Sequence, residues 1–311
     1  MGFDNDGIRF LLAARASGVS FNKVATIGRQ ILHVDFDSLK KNLEFFNIQK
    51  NDIEIERILS EGNGYAEPFL KTLGAEEICS IDVSPFEGPS FIHDMNLPVP
   101  HNLKNAFTAV IDGGSLEHIF DFPRAIKNCM EMVQAEGHFL GITPANNFMG
   151  HGLYQFSPEL YFCLLTEDNG FRIERIILFE SILEGKWYEV RNPEKTRKRI
   201  TLTNGLPTYL LIQAKKIERV PILSFPQQGY YVALWDDHGH LSNSFKDTAN
   251  NRGRLHRIRS SLRQIAPIPL KNVYRTIRAA IRIASRSRLD SEFFEEIDMM
   301  SLVSRQNSPK K

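Results

Sequence analysis

Two apolar runs that end in carboxylates, about thirty residues apart, hold the residues best placed to do chemistry in this chain. Phe107-Thr-Ala-Val-Ile-Asp112 passes into Gly113-Gly114 and then a helix-like segment beginning Glu117-His118. Glu77-Ile-Cys-Ser-Ile-Asp82 repeats the pattern. A continuous apolar run reads as a strand buried on both faces of a parallel sheet. The Asp-Gly-Gly turn then sets a carboxylate and bare backbone at the strand's carboxyl end, where open α/β sheets bind their ligands. Acids at two such ends suit a hydroxyl-rich, positively charged nucleoside. Asp82 would equally suit the ribose of a dinucleotide.

Two histidines are candidates for proton transfer, because imidazole titrates near neutrality. His118 follows the strand ending at Asp112, and His151 lies in the loop Asn146-Asn-Phe-Met-Gly-His-Gly-Leu-Tyr-Gln155. Glu117 could orient His118 only if both faced inward, and adjacent helical positions diverge. Asn147, Tyr154 and Gln155 add hydrogen-bonding groups suited to a polar acceptor. Each residue also has a plainer reading: a strand-end turn acid, a helix-start hydrogen bonder, a loop residue beside a glycine.

The elements that must position these residues alternate. Strands are expected at Lys23–Gly28, Glu77–Asp82, Ser90–Asp94, Phe107–Asp112, Gly137–Thr143, Phe171–Phe179 and Thr208–Ala214. Helices are expected at Ile8–Ala16, across Phe36–Leu59, at Tyr65–Leu73 closed by Gly74, at Pro123–Val133 and at Pro158–Thr166. The alternation predicts an α/β fold: a doubly wound, mostly parallel seven-stranded sheet with an antiparallel last strand. At 311 residues the chain has room for such a domain, residues 1–216, plus an appendage.

Hydrophobic content of 42% and charged content of 24% are those of an ordinary globular protein, and the net charge is +1. Cys79, Cys129 and Cys163 show neither disulfide nor zinc spacing, so no metal is expected. The start lacks the basic region of a secretory signal, and no apolar run is long enough to span a bilayer. A cytoplasmic protein is expected. After Lys216 the rhythm stops. Residues 217–251 read as a linker with one extra strand at Tyr230–Trp235, and 252–311 as a basic helical extension whose end is disordered. Between Asp247 and Asp290 there is no acidic residue, while Arg275, Arg278, Arg282, Arg286 and others accumulate. Val273, Ile277, Ile281 and Ala284 keep helical spacing there, which makes 252–288 a candidate for peripheral attachment to an anionic membrane surface. Aromatic interleaving is too sparse for a nucleic-acid signal.

From Lys23 to Ala214 the sequence resembles the class I S-adenosylmethionine-dependent methyltransferases. The resemblance lies in Val24-Ala-Thr-Ile-Gly28, Ser80-Ile-Asp82, His93-Asp94-Met95-Asn96, Ala109-Val-Ile-Asp-Gly-Gly-Ser-Leu-Glu-His118, Glu136-Gly-His-Phe-Leu140 and the closing strand pair. It implies S-adenosylmethionine as cofactor, with Asp82 on the ribose hydroxyls, Asp94 and Met95 near the adenine, and Gly28, Asp112 and Gly113 beside the rest. One departure stands out. Thr26-Ile-Gly28-Arg-Gln30 keeps a single glycine where the family alternates several, and a long insertion follows it. The expected function is methyl transfer to a small or carrier-bound polar acceptor, such as a sugar, with His118 or His151 as base. The alternatives are an inactive binding scaffold of the same fold and a nicotinamide-dependent oxidoreductase.

Overall fold

The computed structural model describes residues 2–181, 186–196, 199–222, 288–289, 291 and 293–298. The basic stretch 252–288, apart from Arg288, and the expected strand at Tyr230–Trp235 lie outside the described residues. The described residues fall into two compact units. The larger comprises residues 2–190, 206–222 and 295–298, and the smaller comprises the rest. In the smaller unit Leu202–Thr203 pairs antiparallel with Arg288–Leu289, and the Arg191 N–H donates to the Phe293 carbonyl.

The larger unit is built on nine strands: β1 (Lys23–Ile27), β2 (Glu77–Asp82), β3 (Phe91–Ile92), β4 (Phe107–Gly113), β5 (Val133–Asn146), β6 (Phe171–Glu180), β7 (Trp187–Val190), β8 (Thr208–Lys216) and β9 (Phe294–Ile297). Their order across the sheet is β9-β7-β6-β8-β5-β4-β1-β2-β3. The pairs β1–β2, β1–β4, β2–β3 and β4–β5 are parallel. Strand β8 runs antiparallel to both β5 and β6. All seven residues of β4 are buried, which is why it reads as an unbroken apolar run. The sheet has two strands beyond the seven expected. β7 comes from the charged insertion and pairs with β6, and β9 forms the edge.

Helix α1 (Asn5–Ala16) starts at Asp4, whose carboxylate accepts the Gly7 N–H at 2.8 Å, and buries Ile8, Leu11 and Leu12. The helical stretch expected across Phe36–Leu59 is two helices, α2 (Phe36–Phe45) and α3 (Asp52–Ser60). Asn47 breaks it by adopting φ 57°, and a capping box between Asn51 and Glu54 starts the next helix. The chain then returns to the turn after β1. The Ala66 N–H donates to the Gln30 carbonyl, and α4 (Glu67–Thr72) begins there. The insertion is therefore a helical excursion between the first turn and the helix that would ordinarily follow it. Helices α5 (Phe122–Met132) and α6 (Pro158–Leu164) follow β4 and β5. No described helix is long and apolar enough to cross a membrane.

Candidate active site

From β1 the chain winds outward through β2 and β3, then returns to lay β4 and β5 on the other side. The strand order therefore reverses between β1 and β4, the position at which α/β sheets open a crevice. A cavity of about 220 Å³ lies there. Gly28 from the end of β1, Asp82 from β2, His93 to Asn96 after β3, and Ser115 and His118 after β4 all line it. Of the residues picked out from the sequence, the fold gathers Gly28, Asp82, Asp94, Met95 and His118 around this one space.

Their polar atoms are partly committed. One Asp82 oxygen accepts the Ser84 N–H at 2.9 Å. One Asp94 oxygen accepts both the backbone and side-chain N–H of Asn96, at 2.9 and 2.7 Å, and these bonds hold its carboxyl below the usual range. Gly28 has φ 73°, a conformation that glycine adopts freely, and its N–H donates to the Ile81 carbonyl at 2.7 Å. Arg29 points away from the cavity, bonding Glu67 and the Glu87 carbonyl and stacking on Tyr65 with 3.9 Å to the ring centroid.

Asp112 and Gly113 are not among the residues that line the cavity. Asp112 is wholly buried, and one oxygen accepts the N–H groups of Ser115 at 2.9 Å and Leu116 at 3.2 Å. It shapes the turn from beneath, and burial followed by the nearby charge of Glu117 pushes its carboxyl well up. Gly113 makes room for a neighbour: a Cβ there would collide with the Gln30 side chain and Phe3. Gln30 is itself buried, and it donates, as does the Ser115 hydroxyl, to the Ile27 carbonyl. The first turn is thus closed by a folded-back glutamine.

His151 stands beside the cavity, with its ring 5.1 Å from that of His118 and edge-on to it. Both lie near Glu117, a residue whose place in the sequence offered no reason to choose it, with ligand-capable atoms of all three within 4.8 Å of one another. Leu116–His118 forms a short 3-10 turn that buries Glu117 and leaves His118 exposed. The loop carrying His151 is docked there, because the N–H groups of Leu153 and Tyr154 both donate to the Glu117 carbonyl, at 2.7 and 3.2 Å. Gly152 allows that contact, since a Cβ there would lie 2.9 Å from the Glu117 Cγ. Burial pushes the Glu117 carboxyl up to about 7. Desolvation, aided by His151, lowers the pKa of His118. The glycines flanking His151 were the only sequence signal for this docking.

No protein-family model matches the chain, and no curated protein matches it. Solved structures similar to it include a putative methyltransferase from Bacillus halodurans, at 10% identity and TM-score 0.37, covering 67% of this chain and 98% of that one. Another is a Burkholderia thailandensis 1,6-didemethyltoxoflavin-N1-methyltransferase, at 12% identity and TM-score 0.35, covering 69% and 80%. A third is a branched-chain polyamine synthase from Thermus thermophilus, at 14% identity and TM-score 0.36, covering 71% and 59%. Likenesses this distant carry no argument about activity. The lining offers the Asp82 carboxylate on one wall and Asp94 and Met95 on another. At about 220 Å³ the space falls below the roughly 300 Å³ at which small-molecule pockets usually begin. Beside the first turn, Gln30 and Phe3 crowd Gly113.

Proposed function

We propose that the chain is an S-adenosylmethionine-dependent methyltransferase acting at oxygen or nitrogen of a small or carrier-bound polar acceptor, a sugar being one such molecule. The observation that carries this reading is the position of the cavity. It opens at the strand-order reversal of a parallel sheet closed by an antiparallel β8, with Asp82 at its β2 wall and His118 at its β4 wall. Asp82 would hold the ribose hydroxyls, while Asp94 and Met95 would bracket the base. Gly28 would let backbone approach the ligand, with Asp112 and Gly113 supporting the turn from below. Bound there, the cofactor supplies a methyl group on a positively charged sulfur. The chain's own task is to align the acceptor and exclude water, which supplies most of the catalysis in such an in-line displacement. His118, with His151 beside it, would receive the proton that a hydroxyl acceptor must give up as the methyl arrives.

Gln30 favours a second reading, a binding scaffold of the same fold, because it occupies the first turn where the cofactor's amino-acid half would pass. A nicotinamide-dependent oxidoreductase fits less well, since the first turn lacks the glycine series that cradles a pyrophosphate. Calorimetric titration with S-adenosylhomocysteine separates these readings. Saturable heat and a raised melting temperature support the methyltransferase. No heat and no thermal shift would overturn it in favour of the scaffold, and a response to NADH instead would point to the oxidoreductase.

A further inference from the structure

Glu117, His118 and His151 bring one carboxylate and two imidazoles together, with ligand-capable atoms all within 4.8 Å of one another. The Glu117 side chain is 1% exposed, yet neither of its oxygens has a hydrogen-bond partner. Buried carboxylates are ordinarily bonded on every side that water cannot reach. His151 Nε2 lies 3.4 Å from Oε1, outside hydrogen-bond geometry. That spacing suits two ligands of a tetrahedral ion, whose bonds of about 2.0–2.1 Å set donors roughly 3.3 Å apart. His118 is exposed, so a side-chain rotation can bring it the rest of the way.

From this we infer a divalent transition-metal site formed by Glu117, His118 and His151. The donor set selects the class of ion. Two imidazoles and one carboxylate with open positions suit zinc, iron(II) or cobalt(II), whereas magnesium and calcium seek all-oxygen cages. The fold supplies the rigidity such a site needs. Two backbone bonds clamp the His151 loop to the Glu117 carbonyl, and the absence of a Cβ at Gly152 lets that loop approach the Glu117 side chain. His118 also lines the nucleoside cavity, so the open positions of the ion sit next to it. The consequence for catalysis rests on the methyltransferase reading: with His118 held on the ion, the ion would hold the acceptor oxygen and lower its pKa, the proton passing to solvent water as the methyl arrives. Metal binding itself does not depend on that reading.

The test uses the full chain, stripped with a chelator and titrated separately with cobalt(II), followed by visible absorption, and with zinc(II), followed by calorimetry. One equivalent should bind, with cobalt giving a ligand-field band. His151→Asn alters an exposed side chain outside the nucleoside cavity, and it should weaken binding at least about tenfold. Glu117→Gln should do the same. Asp82→Asn should leave metal binding unchanged while weakening S-adenosylhomocysteine, which separates failure of this site from failure of the methyltransferase reading. Absence of a cobalt band, or zinc affinity unchanged in both His151→Asn and Glu117→Gln, overturns the inference. Binding of S-adenosylhomocysteine without binding of metal overturns it too, leaving the methyltransferase reading intact.

Discussion

Replacing Asp82 with asparagine tests whether the cavity is a ribose site. Asp82 ends β2 facing the cavity, and one of its oxygens is already taken by the Ser84 N–H at 2.9 Å. The amide oxygen of asparagine can keep that bond, so the turn survives. What changes is the second oxygen, which becomes an N–H₂ group and no longer accepts from a hydroxyl. A hydrogen bond to a charged group contributes about 1.5–3 kcal/mol, so S-adenosylhomocysteine should bind roughly 10- to 150-fold more weakly. The melting temperature without ligand should barely move. In turnover, KM for the cofactor should rise while kcat stays close to that of the parent chain, because the ribose is held alike in ground and transition states. Asp94 likewise keeps a second oxygen beyond the one that holds Asn96, so Asp94→Asn should weaken binding by a similar factor if that oxygen meets the base. The measurement is calorimetric titration of all three proteins at one ionic strength. Equal affinity in the parent chain and Asp82→Asn would make Asp82 a plain strand-end turn acid and refute the ribose assignment.

Other perturbations address the scaffold around the site. Lys216 is 3% exposed, and its ammonium donates to the Met130 and Val133 carbonyls and to Asn105. Burial, aided by Arg219 and opposed by Glu131, pushes its pKa down to about 8. The unfolded chain then binds the extra proton between about pH 8 and 10.5, so stability rises with pH across that window, by about 3 kcal/mol in all. Lys216→Met should lack that rise in urea unfolding followed over the same range, and parallel curves would refute it. Gly152→Ala places a Cβ against Glu117 at a φ of 73°, which should cost about 1 kcal/mol or more and speed amide exchange at Leu153 and Tyr154. Unchanged exchange there would mean the loop is not held by the Glu117 carbonyl. Finally, Arg275, Arg278 and Arg282 changed together to Gln should reduce sedimentation with anionic liposomes. Equal sedimentation of both proteins would end the membrane reading of the basic stretch.

The sheet was legible because a parallel strand is covered on both faces and must write itself as an apolar run, as Phe107–Ile111 does. The acid at the end of such a run is legible as a position but not as a direction. Asp82 is followed by Val83-Ser84 and keeps one oxygen toward the cavity. Asp112 is followed by Gly-Gly-Ser-Leu, a turn tight enough to bring two N–H groups back to one of its oxygens, while the other is buried without a hydrogen-bond partner.

Glu117 illustrates the opposite failure. Neighbouring side chains do diverge here, for in the 3-10 turn Glu117 is buried while His118 is exposed. A third element brings the two back into one cluster. The loop after β5 returns over the turn, closes on the Glu117 carbonyl, and carries His151 back to the buried carboxylate. The site thus depends on a contact between residues more than thirty positions apart, secured by backbone bonds that leave no periodic trace in sequence. His118 thus lies between two environments, the cavity on one side and the buried carboxylate on the other. A group so placed can pass the influence of the carboxylate, or of an ion bound to it, to whatever occupies the cavity.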